Sequence, residues 1–263
     1  MPFYSSLFQY DGISSSVYNL YLSEIDGEGE SSDMGSSSME IYNQKLYRRS
    51  VPYFYGSTPS ENLSMDISIT SPDNIDSKTS QLISKWLFSN KGYKKLLVLQ
   101  PDMQNVYINC IFNEPKIERI GNMIYGYTAT LEADAPFAWK FPKTVTYTYT
   151  SEVTDTTFVF NNMNDDAGDY LYPTLSIVIN NAGGDITLTN SSDSNRVFSF
   201  TDLLPNETLT VNNSLQQITS STGLKRMSNF NKKFFRLVPG VNNIRLQGNV
   251  ASIGITYQYV AKI

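Results

Sequence analysis

Residues 143–150 read KTVTYTYT, with Val145, Tyr147 and Tyr149 alternating with Thr144, Thr146 and Thr148. Successive side chains of a strand point to opposite faces, so this pattern makes one face of large apolar groups and one of hydroxyls. β-Branched and aromatic residues also suit a pleated, half-buried surface. The same period of two recurs at Met65, Ile67 and Ile69; at Val106, Ile108 and Cys110; at Tyr127, Ala129 and Leu131; and at Ile253, Ile255, Tyr257 and Tyr259. Each run reads as a strand with one buried face, and the chain is therefore mainly β.

One segment breaks the period. In DSKTSQLISKWLFSNKG, from Asp76 to Gly92, residues Thr79, Leu82, Ile83, Trp86 and Leu87 recur at three-and-four spacing behind Asp76 as N-cap, with Gly92 as a stop signal. The spacing predicts one helix over about 77–90, its apolar stripe on a sheet. Gly121-Asn122 suits a tight hairpin turn, and Asn180 to Gly184 is expected to join neighbouring strands by a longer one. In DAPFAWKFPK, Pro136 and Pro142 bracket the end of the helix-bearing half. The expected organisation is an N-terminal β domain over 1–141 and a C-terminal β-sandwich over 142–263, the latter from its short strands and frequent Asn, Gly and Asp turns.

At 263 residues the chain is long enough for a hydrophobic core, and with 40% apolar, 13% aromatic and 17% charged residues it has the composition of a folded protein. It contains no histidine and one cysteine, which removes Ser-His and Cys-His nucleophiles, His metal clusters and Cys-rich zinc sites. A net charge of −5 argues against a dedicated nucleic-acid binder, whose footprint is basic. The longest aliphatic run, Leu96 to Leu99, is far short of a membrane span. The first basic residue is Lys45, so no secretory signal is expected at the start of the sequence.

The remaining candidates for chemistry are few. Cys110, in phase with Val106 and Ile108, reads as a core thiol. Asp165, Asp166 and Asp169 offer paired carboxylates for glycoside hydrolysis, but they lie in a Gly/Asn-rich turn where solvated acids are ordinary. Asn162, Asn164 and Asp166 have the spacing that opens a calcium loop, yet Ala167 replaces its glycine and Pro173 its glutamate. Lys225, Arg226, Lys232, Lys233 and Arg236 interleave with Phe230, Phe234 and Phe235, which fits single-strand binding or, more simply, a solvated face over core phenylalanines. No catalytic residue, cofactor or metal site is assigned.

From Glu24 to Glu40 the chain is rich in Ser and Gly, carries Glu24, Asp26, Glu28, Glu30, Asp33 and Glu40, and has no basic residue. Such a stretch buries too little apolar surface to form core and is expected to be a long mobile arm. Met34, Met39, Ile41 and Tyr42 are the apolar groups near its far end, suited to docking on a neighbouring subunit.

Several segments together resemble the distal tail protein family of long-tailed phages over nearly the whole chain: FQYDGISSSVYNLYLSEIDG from Phe8, ISKWLFSNKGYKKLLVLQPD from Ile83, and YINCIFNEPKIERIGNMIYGYTATLEADAPFAW from Tyr107, the last ending on Asp134, Pro136, Phe137 and Trp139. LYPTLSIVINNAGGDITLTN from Leu171 and FFRLVPGVNNIRLQG from Phe234 are similar to the two ends of its C-terminal sandwich. The resemblance implies a structural virion protein and not an enzyme, with a ring-forming N-terminal domain, a galectin-like C-terminal sandwich and a homo-hexameric hub joining tail tube to tail tip. It implies contacts with the major tail tube protein, a tail-associated hub protein and, in some members, receptor-binding proteins. DNA passes through such a ring without specific binding, and the protein, made in the host bacterial cytoplasm, ends in the virion. In that setting Glu24, Asp26, Glu28, Glu30 and Asp33 are expected to line the channel if the arm faces inward. Two departures stand out: the acidic arm is long, and Asn212-Asn213 occupies a place where an aspartate is expected. The alternative reading is a carbohydrate-binding tail or cell-surface module acting through aromatic groups of the sandwich.

Overall fold

The computed structural model describes residues 6–24, 39–59, 61–150, 154–165 and 170–262. The chain divides into two compact units, Met1–Lys140 with Ala261–Ile263, and Phe141–Val260. The last residues therefore group with the first unit, where Ala261 is buried in the core.

The first unit contains β1 (Phe8–Tyr10), β2 (Ile13–Ser14), β3 (Tyr21–Glu24), β4 (Met39–Gln44), β5 (Tyr53–Pro59) and β6 (Ser64–Ile75). Helix α1 (Ser77–Phe88) follows, then β7 (Lys94–Val98), β8 (Val106–Ile120), β9 (Met123–Ala133) and β10 (Ala138–Lys140). The main sheet runs β2-β1-β7-β8-β9-β6-β3, and β10 pairs with β8. Gly121 and Asn122 form the two-residue turn between Ile120 and Met123, Gly121 at φ 62° as a tight hairpin requires. Gly126 in β9 lies so close to β6 that a Cβ would stand 2.5 Å from the Ile69 carbonyl oxygen, so no larger residue fits that crossing.

Helix α1 lies on this sheet. Asp76 caps it, accepting from the Lys78 and Thr79 amides at 2.9 and 3.0 Å and from the Thr79 hydroxyl at 2.6 Å. Those hydrogen bonds hold the Asp76 carboxyl below the usual carboxylate range. Trp86 stacks on Phe8 at 5.8 Å and donates its indole N–H to the Tyr10 carbonyl at 2.9 Å, locking the helix to the β1 edge. The helix is shorter than its periodicity predicts because the Asn90 side chain donates to the Trp86 carbonyl at 2.8 Å and closes the last turn from outside. The buried face also differs. Ser80, Ile83, Trp86 and Leu87 are inside, Leu82 is exposed, and Thr79 serves the cap.

The second unit is a sandwich. Its strands are β11 (Lys143–Thr148), β12 (Thr154–Asn162), β13 (Thr174–Ile179), β14 (Gly184–Asn190) and β15 (Arg196–Leu203), followed by β16 (Thr208–Asn212), β17 (Gln217–Ser220), β18 (Gly240–Gly248) and β19 (Val250–Tyr257). One sheet has the order β11-β19-β13-β16-β17 and the other β12-β18-β14-β15. Ile177, Leu209, Ile253 and Ile255 from the first meet Leu188, Phe198, Phe200, Ile244 and Leu246 from the second in one apolar core. The KTVTYTYT run forms β11, with Val145 and Tyr147 half-buried and the threonines exposed. The Asn180 to Gly184 turn does not join neighbouring strands, as its chemistry suggests; it carries the chain from β13 in one sheet to β14 in the other. A local turn motif fixes the backbone reversal but not the sheet that receives the next strand.

Buried polar groups tie the ends of the sandwich. Glu207 is fully buried and Arg226 nearly so, the guanidinium Nε donating to Oε1 at 2.7 Å and Nη2 to Oε2. Burial pushes the Glu207 carboxyl up, but hydrogen bonds from Arg226, Ser220 and the Leu204 amide outweigh it and hold the group below its ordinary value. Asn213 donates to the Pro173 carbonyl at 2.6 Å and accepts from the Phe235 amide at 2.8 Å. A carboxylate only accepts, so the asparagine at this position does what an aspartate could not.

Removing one partner of the Glu207–Arg226 pair leaves an uncompensated buried charge. Arg226→Ala should cost the second unit about 3–5 kcal/mol, measured by denaturant unfolding. Because the folded pKa of Glu207 is depressed, the pair's contribution is full above the unfolded carboxylate value of about 4.3 and is lost as pH falls through the folded value. Acid titration of wild type should show that loss, and Glu207→Gln should flatten it.

Candidate functional site

The most exposed apolar surface of the first unit is the two-stranded sheet β4–β5, separate from the main sheet. Met39 pairs with Pro59, Ile41 with Ser57, Tyr42 with Gly56, and Asn43 with Phe54. Between Tyr42 and Asn43 the register slips by one residue, and Gly56 takes φ 136°, a conformation that L side chains rarely adopt. Every residue of β4 is exposed, and none of the described residues of β4 or β5 belongs to the core. Tyr47 at the tip is 89% exposed, and Phe54 and Tyr55 are each 67% exposed, so among the described residues these aromatic rings have no apolar cover.

Cations accompany the rings. Lys45, Arg48 and Arg49 sit in the connection between the two strands, where Arg49 lies 3.8 Å from the Tyr53 ring centroid and Arg48 5.2 Å from that of Tyr47. Few side-chain bonds order the ribbon. The Tyr42 hydroxyl donates to Glu40 and meets Thr58, both at 3.1 Å, and the Tyr55 hydroxyl donates to Gln44 at 3.1 Å. Full burial of a large apolar side chain contributes about 1.5–3 kcal/mol, and Tyr47, Phe54 and Tyr55 contribute little of that within the subunit.

Some of the residues singled out from sequence lie on this ribbon. Met39, Ile41 and Tyr42 lie on β4 as strand residues, exposed, with Met39 and Ile41 on one face and Tyr42 on the other. The stretch expected to be a loop from Glu24 to Glu40 is strand at both ends. Glu24 closes β3, its backbone paired with Ile67, and Glu40 belongs to β4. Met34, Asp26, Glu28, Glu30 and Asp33 lie outside the described residues. Tyr47, Arg48, Arg49, Phe54 and Tyr55 were not signalled by periodicity, because a strand exposed on both faces has none. The signal that could have found them is the consecutive run Tyr53-Phe54-Tyr55.

The other chemical candidates are occupied structurally. Cys110 is fully buried, and burial, with Asp134 adding to it, pushes its thiol far up. The Asn162 side chain bonds the Val238 carbonyl and the Asn164 amide, and Asn164 accepts from the Val260 amide. Asp165 is exposed, and Asp166 and Asp169 lie outside the described residues. Among the described residues no group of three or more potential ligands is placed to hold a metal. The basic cluster is not a free cationic strip: Arg226 is spent on Glu207, Arg236 is bidentate to Asp193 at 2.8 and 3.0 Å, and Phe230 and Phe235 are core. Asp134, at the end of the first unit, accepts from Asn109 at 2.9 Å and from the Trp139 indole at 3.3 Å.

Residues 3–135 match the family model described as a phage tail protein N-terminal domain, and residues 137–257 match that of a phage tail C-terminal domain. No curated protein matches the sequence. Among solved structures, the Dit protein (gp 19.1) of phage SPP1, described as a paradigm of the hub adsorption apparatus in phages infecting Gram-positive hosts, is similar in fold. The TM-score is 0.68 at 10% identity, over 96% of this chain and 98% of that one.

Substitutions on the ribbon should leave the subunit's stability untouched. Tyr47→Ser, Phe54→Ser and Tyr55→Ser together should shift the unfolding free energy by no more than about 0.5 kcal/mol. Trp86→Ala, in the core of the same unit, should cost about 3–5 kcal/mol in the same denaturation assay.

Proposed function

The chain belongs to the phage tail protein family through both of its domains, and on that premise we propose that it is the hub subunit at the distal end of a long tail. Six copies form a ring that continues the tail tube, meets the major tail tube protein on one side and a tail-associated hub protein on the other, and leaves a channel for DNA. Receptor-binding proteins are a further class of partner at the ring's side. The site of the protein is then the virion tail tip.

The observation that carries this reading is the β4–β5 ribbon. A two-stranded sheet is at best marginally stable alone in water, and this one presents aromatic and cationic groups on its outside. A surface of that kind is explained by a protein neighbour: another copy of the chain, or the tube ring above it. The fold shared with the SPP1 hub protein supports the same placement. Under this reading Met39, Ile41 and Tyr42 act with Tyr47, Phe54 and Tyr55 as contact residues, and Met34 and the carboxylates Glu24, Asp26, Glu28, Glu30 and Asp33 belong to the adjoining arm.

The test is assembly. Concentrated wild-type protein, or protein recovered from tails, should appear as closed rings by electron microscopy. The Tyr47→Ser, Phe54→Ser, Tyr55→Ser variant should remain a folded subunit and fail to enter rings or complement tail assembly. Normal tails from that variant would refute the role given to the ribbon.

A further inference from the structure

Charge is sorted along the chain on the two sides of Ile41. From Glu24 to Glu40 every charged residue is an acid, namely Glu24, Asp26, Glu28, Glu30, Asp33 and Glu40; from Ile41 to Ser60 every charged residue is a base, namely Lys45, Arg48 and Arg49. The two blocks belong to opposite ends of the β4–β5 ribbon. The acidic one joins Glu24, whose backbone pairs with Ile67 in the main sheet, to Met39, which opens β4. Asp26 and Glu28 follow Glu24 by two and four residues, so the chain lets them stray no more than about 7 and 14 Å from the main sheet. The bases lie at the tip, beyond Gln44, the last residue of β4. The six residues of β4 set the tip about 20 Å from the foot of the ribbon, more than twice the Debye length of about 8 Å at physiological salt.

The tip is prepared for carboxylates. Among the described residues, Lys45, Arg48 and Arg49 take part in no ion pair. Arg49 lies over the Tyr53 ring and Arg48 over that of Tyr47. A guanidinium laid on a ring spends one face there and keeps its N–H groups, which lie in its plane, for a bidentate carboxylate. Stacking also orders the group before a partner arrives, which lowers the cost of binding. Nucleic acid is the other polyanion that a basic, aromatic surface fits, but Lys45, Arg48 and Arg49 on a chain of net charge −5 make a small footprint for phosphates. A second copy of the chain offers a run of acids with no competing base.

We propose that the cationic tip of each ribbon, Lys45, Arg48 and Arg49, docks on the acidic stretch at residues 26–33 of the next copy of the chain. Such a head-to-tail contact between unlike surfaces closes into a ring. The inference rests on the hub reading and names the ribbon's partner within it. Two full-length variants test it. Lys45→Glu, Arg48→Glu, Arg49→Glu reverses the tip, at exposed positions outside the core, and should keep the wild-type melting temperature; Asp26→Lys, Glu28→Lys, Glu30→Lys, Asp33→Lys reverses the stretch. Each variant alone should form no closed rings by electron microscopy even at about tenfold the concentration at which wild type does, because tip and stretch then carry the same sign. An equal mixture of the two should form rings again, the variants alternating, since each tip then meets a stretch of opposite charge. Restoration in the mixture separates a contact between copies from one within a chain, which mixing cannot repair. Wild type without rings would overturn the hub reading and this inference with it, whereas rings from wild type and equally from either variant alone would overturn the inference only. Loss in both variants with no recovery in the mixture would overturn it as well, and retention of a labelled oligonucleotide by the wild-type tip but not the reversed one would then assign the tip to nucleic acid.

Discussion

A two-stranded antiparallel ribbon buries too little apolar surface to hold itself together in water, and β4–β5 keeps its rings on the outside. The first unit satisfies its own core through α1, Trp86 and the long β8–β9 pair, and has no further need of Tyr47, Phe54 or Tyr55. Those side chains are not used by the fold, and the hub role proposed above is what would use them.

The second unit is built on a different principle. Its apolar core is flanked by buried polar ties that leave few alternatives for the loops. Glu207 and Arg226 lock the β16 end against the segment that follows β17, Asn213 bridges the Pro173 and Phe235 backbones, and Asn242 bonds Asn190 and the Val238 backbone. Such networks make a chain segment specific in position more than they add net stability. The result is a sandwich whose loops are tied to the strands by buried side chains.

Much of this fold was legible in the sequence where one face of an element is wet and the other dry. The alternation of β6, β8, β9, β11 and β19, the cap at Asp76 and the Gly121-Asn122 turn all follow from local rules. What local rules did not reveal depends on distance or on the absence of a buried face. Glu207 and Arg226 are separated by 19 residues and look like unrelated surface charges. Asn180 to Gly184 shows a reversal without showing which sheet receives the chain. The ribbon was read only at its near edge, through Met39, Ile41 and Tyr42, since Tyr47, Phe54 and Tyr55 alternate with nothing.

In the hub role proposed above, β4–β5 is held in place by a neighbour rather than by its own subunit, and amide hydrogen exchange reads that directly. In the free subunit the amides of residues 39–59 should exchange at rates approaching those of an unfolded peptide, while β8 and β9 stay protected; in intact tails the same ribbon amides should become strongly protected. Equal protection of residues 39–59 in the free subunit and in the tail would contradict that placement of the ribbon.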